Sequence, residues 1–253
     1  MTLWHALAVA AAGLLAGTIN TIVGSGSLIT FPTLVALGYP PLVANVTNTV
    51  GLVPGSVSGA IGYRRELAGQ ARRILHLGVW AAAGGLAGGV LLLELPGSFE
   101  AVVPYLVLLA VALVIVQPRL AERLARRAAG RSTTRSETGG PVLRAGVFST
   151  AVYGGYFGAA QGVLLIAILG IGLDDDLQRA NALKNVLAAI VNGVAAVLFI
   201  ARAPVRWAPA AVLAAASTVG GQLGAGLGRR LPGPVLRALI VVAGTAVAVK
   251  LLV

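Results

Sequence analysis

Ten apolar runs, separated by short polar segments, make up most of the chain. Runs of 18 or more apolar residues predict transmembrane helices, but the runs at 27–38 and 162–173 would each extend only about 18 Å as helices. Because a bilayer's hydrocarbon core is ~30 Å thick, these two runs predict half-helices. The pattern therefore predicts an all-α polytopic membrane protein with about eight full transmembrane helices and two short half-helices. The runs cover residues 3–24, 27–38, 42–62, 74–95, 99–117, 142–160, 162–173, 177–200, 209–228 and 234–253.

A polar stretch at 118–141 divides the runs into two similar halves. Residues 1–117 contain a helix, a short helix and three further helices, and residues 142–253 give the same order. The segments 44-ANVTN-48 and 180-ANALKN-185 each follow the short run of their own half. Related positions in the two halves lie about 134–136 residues apart, and this constant spacing indicates an internal repeat. The arginine-rich loops all fall on the cytosolic side only if each half crosses the membrane an odd number of times. We therefore expect the two repeats to be inverted.

The composition is typical of a membrane protein and excludes disulfide bonds and several kinds of metal site. Hydrophobic residues make up 57% of the chain and charged residues only 11%, against about 25% charged residues in soluble domains. There is no cysteine, so disulfides and thiolate metal sites are excluded. The two histidines, His5 and His76, are too few and too far apart for a metal site. We expect no cofactor and no metal.

The formal net charge of +11 resides in arginines that lie largely between the apolar runs. Loops rich in Lys and Arg stay on the cytosolic side, so the basic loops 64–73 and 118–141 are predicted to be cytosolic. The charge orients the protein in the lipid bilayer and does not indicate a nucleic-acid partner. No Lys or Arg precedes the first run, so residues 3–24 are predicted to be a retained helix, not a signal peptide.

Small and polar residues interrupt the apolar sequence where each short run begins. In 17-GTINTIVGSGSLITFPTLVALG-38, a new helix is predicted to start at Ser25 or Ser27, beside Gly24 and Gly26. A helix N-terminus carries partial positive charge and unpaired amides, and it binds anions. The matching segment is 158-GAAQGVLL-165, where Gln161 lies between two glycines. Close helix packing is the alternative for such residues, and 13-GLLAG-17 fits that alternative.

Amide side chains and one cation lie in the helices that follow the short runs. Asn48 lies in the first half, and Asn181, Lys184 and Asn185 lie in the second. A cation inside a membrane is a functional hypothesis by default and would suit an anionic substrate. The alternative for the asparagines is interhelical hydrogen bonding. The alternatives for Lys184 are snorkelling to the interface or pairing with Asp176.

Carboxylates are absent from the middle of every run. All eight acidic residues fall at or near run ends, whereas cation pathways and carboxylate proton relays place acids inside the membrane. This argues against a cation channel, an acid-based sodium site and a conventional proton relay. No catalytic or phosphate-loop motif is present, so we expect no enzyme.

Three stretches together resemble a known family. They are 19-INTIVGSGSLITFPTLVALGYPPLVANVTNTVGLVPG-55, 178-QRANALKNVLAAIVNGVAAVLF-199 and 207-WAPAAVLAAASTVGGQLGAGLGRRLPGPVLRALIVVAG-244. The chain resembles the TauE/SafE family of sulfite and organosulfonate exporters, also called the four-toluene-sulfonate-uptake permease family. Relatives often carry consecutive glycines at the first break, where this chain has Ser25 and Ser27. At the second break it has Ala159, Ala160 and Gln161.

The resemblance implies a transporter of small, commonly sulfur-containing anions in the bacterial inner membrane. It also implies inverted repeats around a central site and a homodimer. At matching positions it implies a substrate-binding role for Asn20, Gly24, Ser25, Gly26, Ser27, Gln161, Asn181, Lys184 and Asn185, to which the residue pattern adds Asn48.

The leading hypothesis is a secondary transporter, an exporter, that binds a small anionic substrate between the two half-helix N-termini and works by alternating access. Coupling to a proton or another ion is compatible with it. The alternatives are a passive anion channel and a membrane scaffold that transports nothing.

Overall fold

A computed structural model describes residues 1–129, 140–173, 175–227 and 233–252, and it is all-α throughout these ranges. The predicted all-α membrane fold is confirmed, and the two short helices, α2 and α7, occur where the two short runs predicted them. The helices are α1 (Leu3–Ile22), α2 (Ser27–Ala36), α3 (Pro41–Gly62), α4 (Ala71–Glu94), α5 (Pro96–Ala129), α6 (Pro141–Tyr156), α7 (Gln161–Gly172), α8 (Leu177–Arg202), α9 (Trp207–Leu227) and α10 (Gly233–Leu252).

Length and hydropathy mark several of these helices as membrane spans. Among the described residues, Leu3–Ile22, Ala71–Glu94, Pro96–Arg119 and Leu177–Arg202 are long and apolar enough to cross a bilayer. Large apolar side chains on them are exposed, such as Leu75 (72%) and Val197 (70%). An outer surface of this kind is stable in lipid and not in water.

Helix α5 is longer than its apolar run. It continues past residue 117 to Ala129, so the first part of the predicted linker 118–141 is helical. The residues 118-PRLAERLARRAA-129 are mostly Ala, Leu, Arg and Glu, which favour helix irrespective of hydropathy. Of the six arginines in the predicted linker 118–141, Arg119, Arg123, Arg126 and Arg127 lie on this helix. Residues 130–139 lie outside the described ranges.

Glycines allow two groups of helices to pack backbone against backbone. Gly13 and Gly17 of α1 lie against Ala216 and Ser217 of α9, which confirms the packing interpretation of 13-GLLAG-17. In the same way, Gly88 of α4 lies against Val152 of α6. Close approach through small residues is the usual way in which membrane helices associate, because lipid offers no hydrophobic drive between helices.

The helix contacts are reciprocal between the two halves. Helix α9 packs against α1 and α3, while α4 packs against α6 and α8. Thus the fourth helix of each half lies between the first and third helices of the other half. Helices α3 and α8 run in opposite directions, because Gly59 near the end of α3 and Asn181 near the start of α8 both contact Thr21.

Candidate functional site

The first chain break lies between α1 and α2. Helix α1 ends at Ile22, and the amides of Val23 and Gly24 both donate to the carbonyl oxygen of Ile19, at 2.7 and 3.1 Å. Gly24 has a φ of 86°, in the left-handed region that glycine reaches without a steric penalty. That conformation turns the chain sharply and lets α2 start at Ser27.

The second break, between α6 and α7, is built in the same way. The amides of Phe157 and Gly158 both donate to the carbonyl oxygen of Tyr153, at 2.9 and 3.2 Å. Gly158 has a φ of 77°, and Ala160, the N-cap of α7, has a φ of 58°. A left-handed alanine is uncommon and costs free energy.

The two breaks contact each other through their backbones. The amide of Gly162, in the first turn of α7, donates to the carbonyl oxygen of Gly24 at 3.0 Å. A Cβ on either glycine would collide with the backbone of the other. The rings of Phe31 on α2 and Phe157 also meet edge to face, with centroids 5.3 Å apart. Each break is predictable from the sequence, but this contact between them is not.

The amides of the two short helices differ in their partners. In α7 the amides of Gln161, Gly162 and Val163 donate to Gly158, Gly24 and Ala160, so the expected free first-turn amides are not found there. At the start of α2 the amides of Ser25, Gly26 and Ser27 have no acceptor among the described residues. Unpaired amides at the N-terminus of a helix attract an anion.

Two buried side chains beside the break contact also lack partners. Ser25 is 1% exposed and Gln161 is 2% exposed. Within the described residues, neither the Ser25 hydroxyl nor the Gln161 Nε2 makes a hydrogen bond. A buried polar group without a partner costs free energy, and such a group is explained when a ligand or water supplies the partner. Their covalent neighbours Gly24 and Gly162 pair through their backbones, and the Gln161 carboxamide lies against Gly154 of α6.

Lys184 and the asparagines beside it bind the end of α1. Lys184 is 1% exposed, and its Nζ donates to the carbonyl oxygens of Asn20 and Thr21, each at 3.2 Å. The carbonyl of Thr21 also accepts from Asn181 and Asn185, at 3.3 and 3.2 Å. The last carbonyls of a helix carry partial negative charge, so a cation and two amides stabilise this buried helix end.

Both alternatives for Lys184 are wrong. Its burial excludes snorkelling, and the carboxylate of Asp176 caps α8 by accepting from the amides of Gln178 and Arg179. Backbone carbonyls of the other half, which the sequence does not single out, are the actual partners of Lys184.

The remaining asparagines are distributed over two places. Asn20 Nδ2 donates to the Ser56 hydroxyl at 3.3 Å, so the Asn20 side chain joins α1 to α3. Asn48 accepts a short hydrogen bond from the Thr30 hydroxyl and joins α3 to α2. Asn45, which was not among the candidate site residues, donates to the last carbonyl of α6, Tyr156, at 3.0 Å. Its spacing of about 136 residues from Asn181 was the available signal.

The structure thus brings most of the predicted site residues to one region. Among the described residues there is no cluster of three or more His, Cys, Asp or Glu residues that could hold a metal. The site can offer unpaired amides, a hydroxyl and a carboxamide N–H, all hydrogen-bond donors. Gly24 and Gly162 make the break contact, Ser25, Gly26, Ser27 and Gln161 are adjacent to them in sequence, and the side chains of Asn181, Lys184 and Asn185 bind the carbonyls of Asn20 and Thr21 near the end of α1.

Comparison with known proteins gives one family and several relatives. The family model described as "Sulfite exporter TauE/SafE" matches residues 9–251. The chain is 27% identical over 241 residues to "Probable membrane transporter protein YfcA" of Escherichia coli, covering 94% of this chain and 86% of the relative. It is 26% identical over 214 residues to a "Probable membrane transporter protein" of Haemophilus influenzae, covering 84% and 81%. "Probable membrane transporter protein ORF9" of Sinorhizobium sp is 26% identical, with 95% and 90% covered. No solved structure matches significantly.

Proposed function

The chain belongs to the sulfite exporter TauE/SafE family, and from that premise we propose that it is a secondary transporter of small anions. Its relatives are named as membrane transporters, which supports transport and not catalysis. The proposed substrates are sulfite, organosulfonates or related organic acids. The proposed direction is export across the inner membrane.

One observation carries this proposal: the unpaired donors at the first break. The amides of Ser25, Gly26 and Ser27 and the Ser25 hydroxyl have no acceptors among the described residues. Hydrogen bonds from such donors to an anion are charge-assisted and about twice as strong as neutral ones. Because the site is buried, a bound anion would supply the missing acceptors, and the Gln161 carboxamide would donate from the other half.

Lys184 supports the anion indirectly in this proposal. Its two carbonyl partners occupy at least two of the three donors of its ammonium group. Its positive charge nevertheless lies on the carbonyls of Asn20 and Thr21, five and four residues before Ser25, and adds to the positive potential of this region. No described carboxylate is fully buried to oppose it.

Alternating access is the proposed mechanism, with residues 1–117 and 142–253 as inverted repeats. The reciprocal helix contacts and the opposite directions of α3 and α8 support this assignment. Each half supplies one break, so a substrate at their contact would touch both halves. Rocking of one half against the other would then expose the same site to each side in turn.

A thermal-shift panel with purified protein tests the proposal. The panel contains sulfite, an alkylsulfonate, acetate and phosphate, with chloride at equal ionic strength as control. A ligand at 100 times its dissociation constant stabilises the folded state by about 2.7 kcal/mol, so a substrate anion is expected to raise the Tm above the chloride value. Ser25→Leu is expected to abolish that rise. An equal rise in Ser25→Leu, or none in the wild type, would contradict the site.

A further inference from the structure

A groove between α3 and α8 opens on the outer surface of the protein, away from the break contact. Its volume is about 430 Å³. Val57, Ala60 and Ile61 of α3 form one wall, and Ala189 and Ile190 of α8 form part of the other. Val57 and Ile61 are 44% and 54% exposed, so this wall faces the surroundings, which for a membrane protein are lipid chains.

Among the described residues that line the groove, one is charged: Arg64, which is followed along the chain by the apolar lining residue Leu67. Arg64 follows the last turn of α3 and is exposed. The apolar wall precedes it on α3, where Val57 and Ile61 are four residues, or about 6 Å, apart along the helix axis. Within the part of the chain that the structure describes, Arg64 forms no ion pair. Glu66, the acid of the same loop, interacts with another group.

A phospholipid combines the two features that this groove offers a partner for: a phosphate for the charge of Arg64 and an acyl chain for the apolar walls. The apolar wall alone selects no lipid, because lipid tails are as apolar as its side chains. The guanidinium of Arg64 does select among lipids, because it binds phosphate oxygens through two parallel N–H donors. Basic pockets between transmembrane helices bind anionic headgroups in this way.

We propose that this groove binds one anionic phospholipid, with its phosphate on Arg64 and an acyl chain between α3 and α8. The acyl chain of the lipid would contact Ala60 of α3 on one side and Ala189 of α8 on the other. Because α3 lies in the first half of the sequence and α8 in the second, the lipid would bridge the two halves. Its binding requires no transport and can be measured separately from it.

Native mass spectrometry of the detergent-purified protein tests the proposal directly. The probes are phosphatidylglycerol and phosphatidylcholine with identical acyl chains, supplied in equal amounts. We expect the protein to retain one phosphatidylglycerol in preference to phosphatidylcholine. A basic residue near a membrane contributes about 1 kcal/mol to anionic lipid binding, so Arg64→Ala is expected to reduce that preference by about fivefold.

Two further variants separate a site from general attraction. Arg65 is the exposed neighbouring arginine and does not line the groove, so Arg65→Ala is expected to keep the preference. Ala189→Phe fills the groove without changing the charge and is expected to reduce lipid retention. Equal losses in Arg64→Ala and Arg65→Ala would overturn the proposal. A dimer that Ala189→Phe converts to monomer, with lipid retention unchanged, would also overturn it and assign the groove to a second copy.

Glycerol phosphate, which has the same phosphate without acyl chains, distinguishes a lipid from a free phosphate. It is expected not to displace phosphatidylglycerol at equal concentration. Full displacement would show that Arg64 binds a soluble phosphate and would overturn the lipid assignment.

Discussion

At the scale of single residues, the polar groups inside the membrane divide into two roles. Lys184, Asn181 and Asn185 bind backbone carbonyls at the end of α1. The Ser25 hydroxyl and Gln161 Nε2 are buried without hydrogen-bond partners among the described residues. The first set stabilises the break, and the second set is available to a ligand.

Removal of the Ser25 hydroxyl is expected to weaken anion binding. A hydrogen bond to a charged group contributes about 1.5–3 kcal/mol, so Ser25→Ala should raise the Kd of the anion by roughly tenfold to a hundredfold. Ser58→Ala is the matched control, because the buried Ser58 hydroxyl already has a partner within the protein, the Thr218 carbonyl of α9 at 2.7 Å. Titration by thermal shift or calorimetry measures both. A Kd that changes equally in the two variants would remove Ser25 from the site.

Removal of the Lys184 charge is expected to lower stability first. Lys184→Met leaves the Asn20 carbonyl without its donor, and loss of a charged hydrogen bond costs about 1.5–3 kcal/mol. For a chain of this size that corresponds to a decrease in Tm on the order of 5 °C. Arg202→Met is the control on the same helix, because Arg202 and its partner Glu94 are each 62% exposed and such pairs contribute little.

One outcome would contradict the role of Lys184 as a cap of α1. If Lys184→Met keeps the wild-type Tm and binds the anion much more weakly, Lys184 is a ligand of the substrate and not a cap of α1.

Lys184 is recognisable in the sequence as a candidate site residue, but its hydrogen-bond partners are not. A lysine among apolar residues is visible in the sequence, whereas the carbonyls of Asn20 and Thr21 are backbone groups that every residue carries. Only the break after Ile22 leaves those carbonyls without helical partners, and only the fold places α8 beside them. For the same reason, the pairing of the Gly162 amide with the Gly24 carbonyl was not predictable.

At the scale of elements, the two short helices are the features that the sequence predicted best. The runs 27–38 and 162–173 became α2 (Ser27–Ala36) and α7 (Gln161–Gly172), because apolar length and flanking glycine are local signals. The extent of α5 was predicted less well. Its final turns are polar but rich in helix-forming residues, and hydropathy does not report helix propensity.

A side chain at the break contact is expected to be incompatible with function. Gly162→Ala would press a methyl group against the backbone of Gly24, and overpacking typically costs about 1–3 kcal/mol. We expect a lower Tm and transport reduced by at least tenfold. Gly193→Ala, in α8 where a Cβ meets nothing within 4 Å, is the control and should be neutral or slightly stabilising.

Two results would contradict a functional role for the Gly24–Gly162 contact. One is a normal flux and Tm in Gly162→Ala, and the other is an equal loss of flux and Tm in Gly162→Ala and Gly193→Ala.

At the scale of the whole molecule, ionic contacts join the two halves on the side of the basic loop 64–73. Arg73 pairs with Asp175, which also binds Arg179 Nε at 3.0 Å. Arg179 donates to the Ala68 carbonyl at 3.1 Å, and Gln70 Nε2 donates to the Arg179 carbonyl at the same distance. These contacts would have to change if the halves rock to open this side.

A reversible crosslink across this contact is expected to stop transport. Because the chain has no cysteine, Arg73→Cys with Asp175→Cys can be bridged by a short reducible bismaleimide without background labelling. Flux should fall by at least tenfold after crosslinking and recover after reduction. Each single cysteine variant, treated with the same reagent, is the control. Full flux through crosslinked protein would show that this side does not open by separation of these residues.

The central claim is that an anion binds the unpaired donors at the first break and is carried across the membrane. Counterflow in proteoliposomes tests it most directly, using the radiolabelled anion that gives the largest thermal shift. We predict saturable uptake that is stimulated by the unlabelled anion inside and is abolished by Ser25→Leu. Unsaturated electrogenic flux would indicate a channel. Absence of flux, or equal uptake by Ser25→Leu, would contradict the claim.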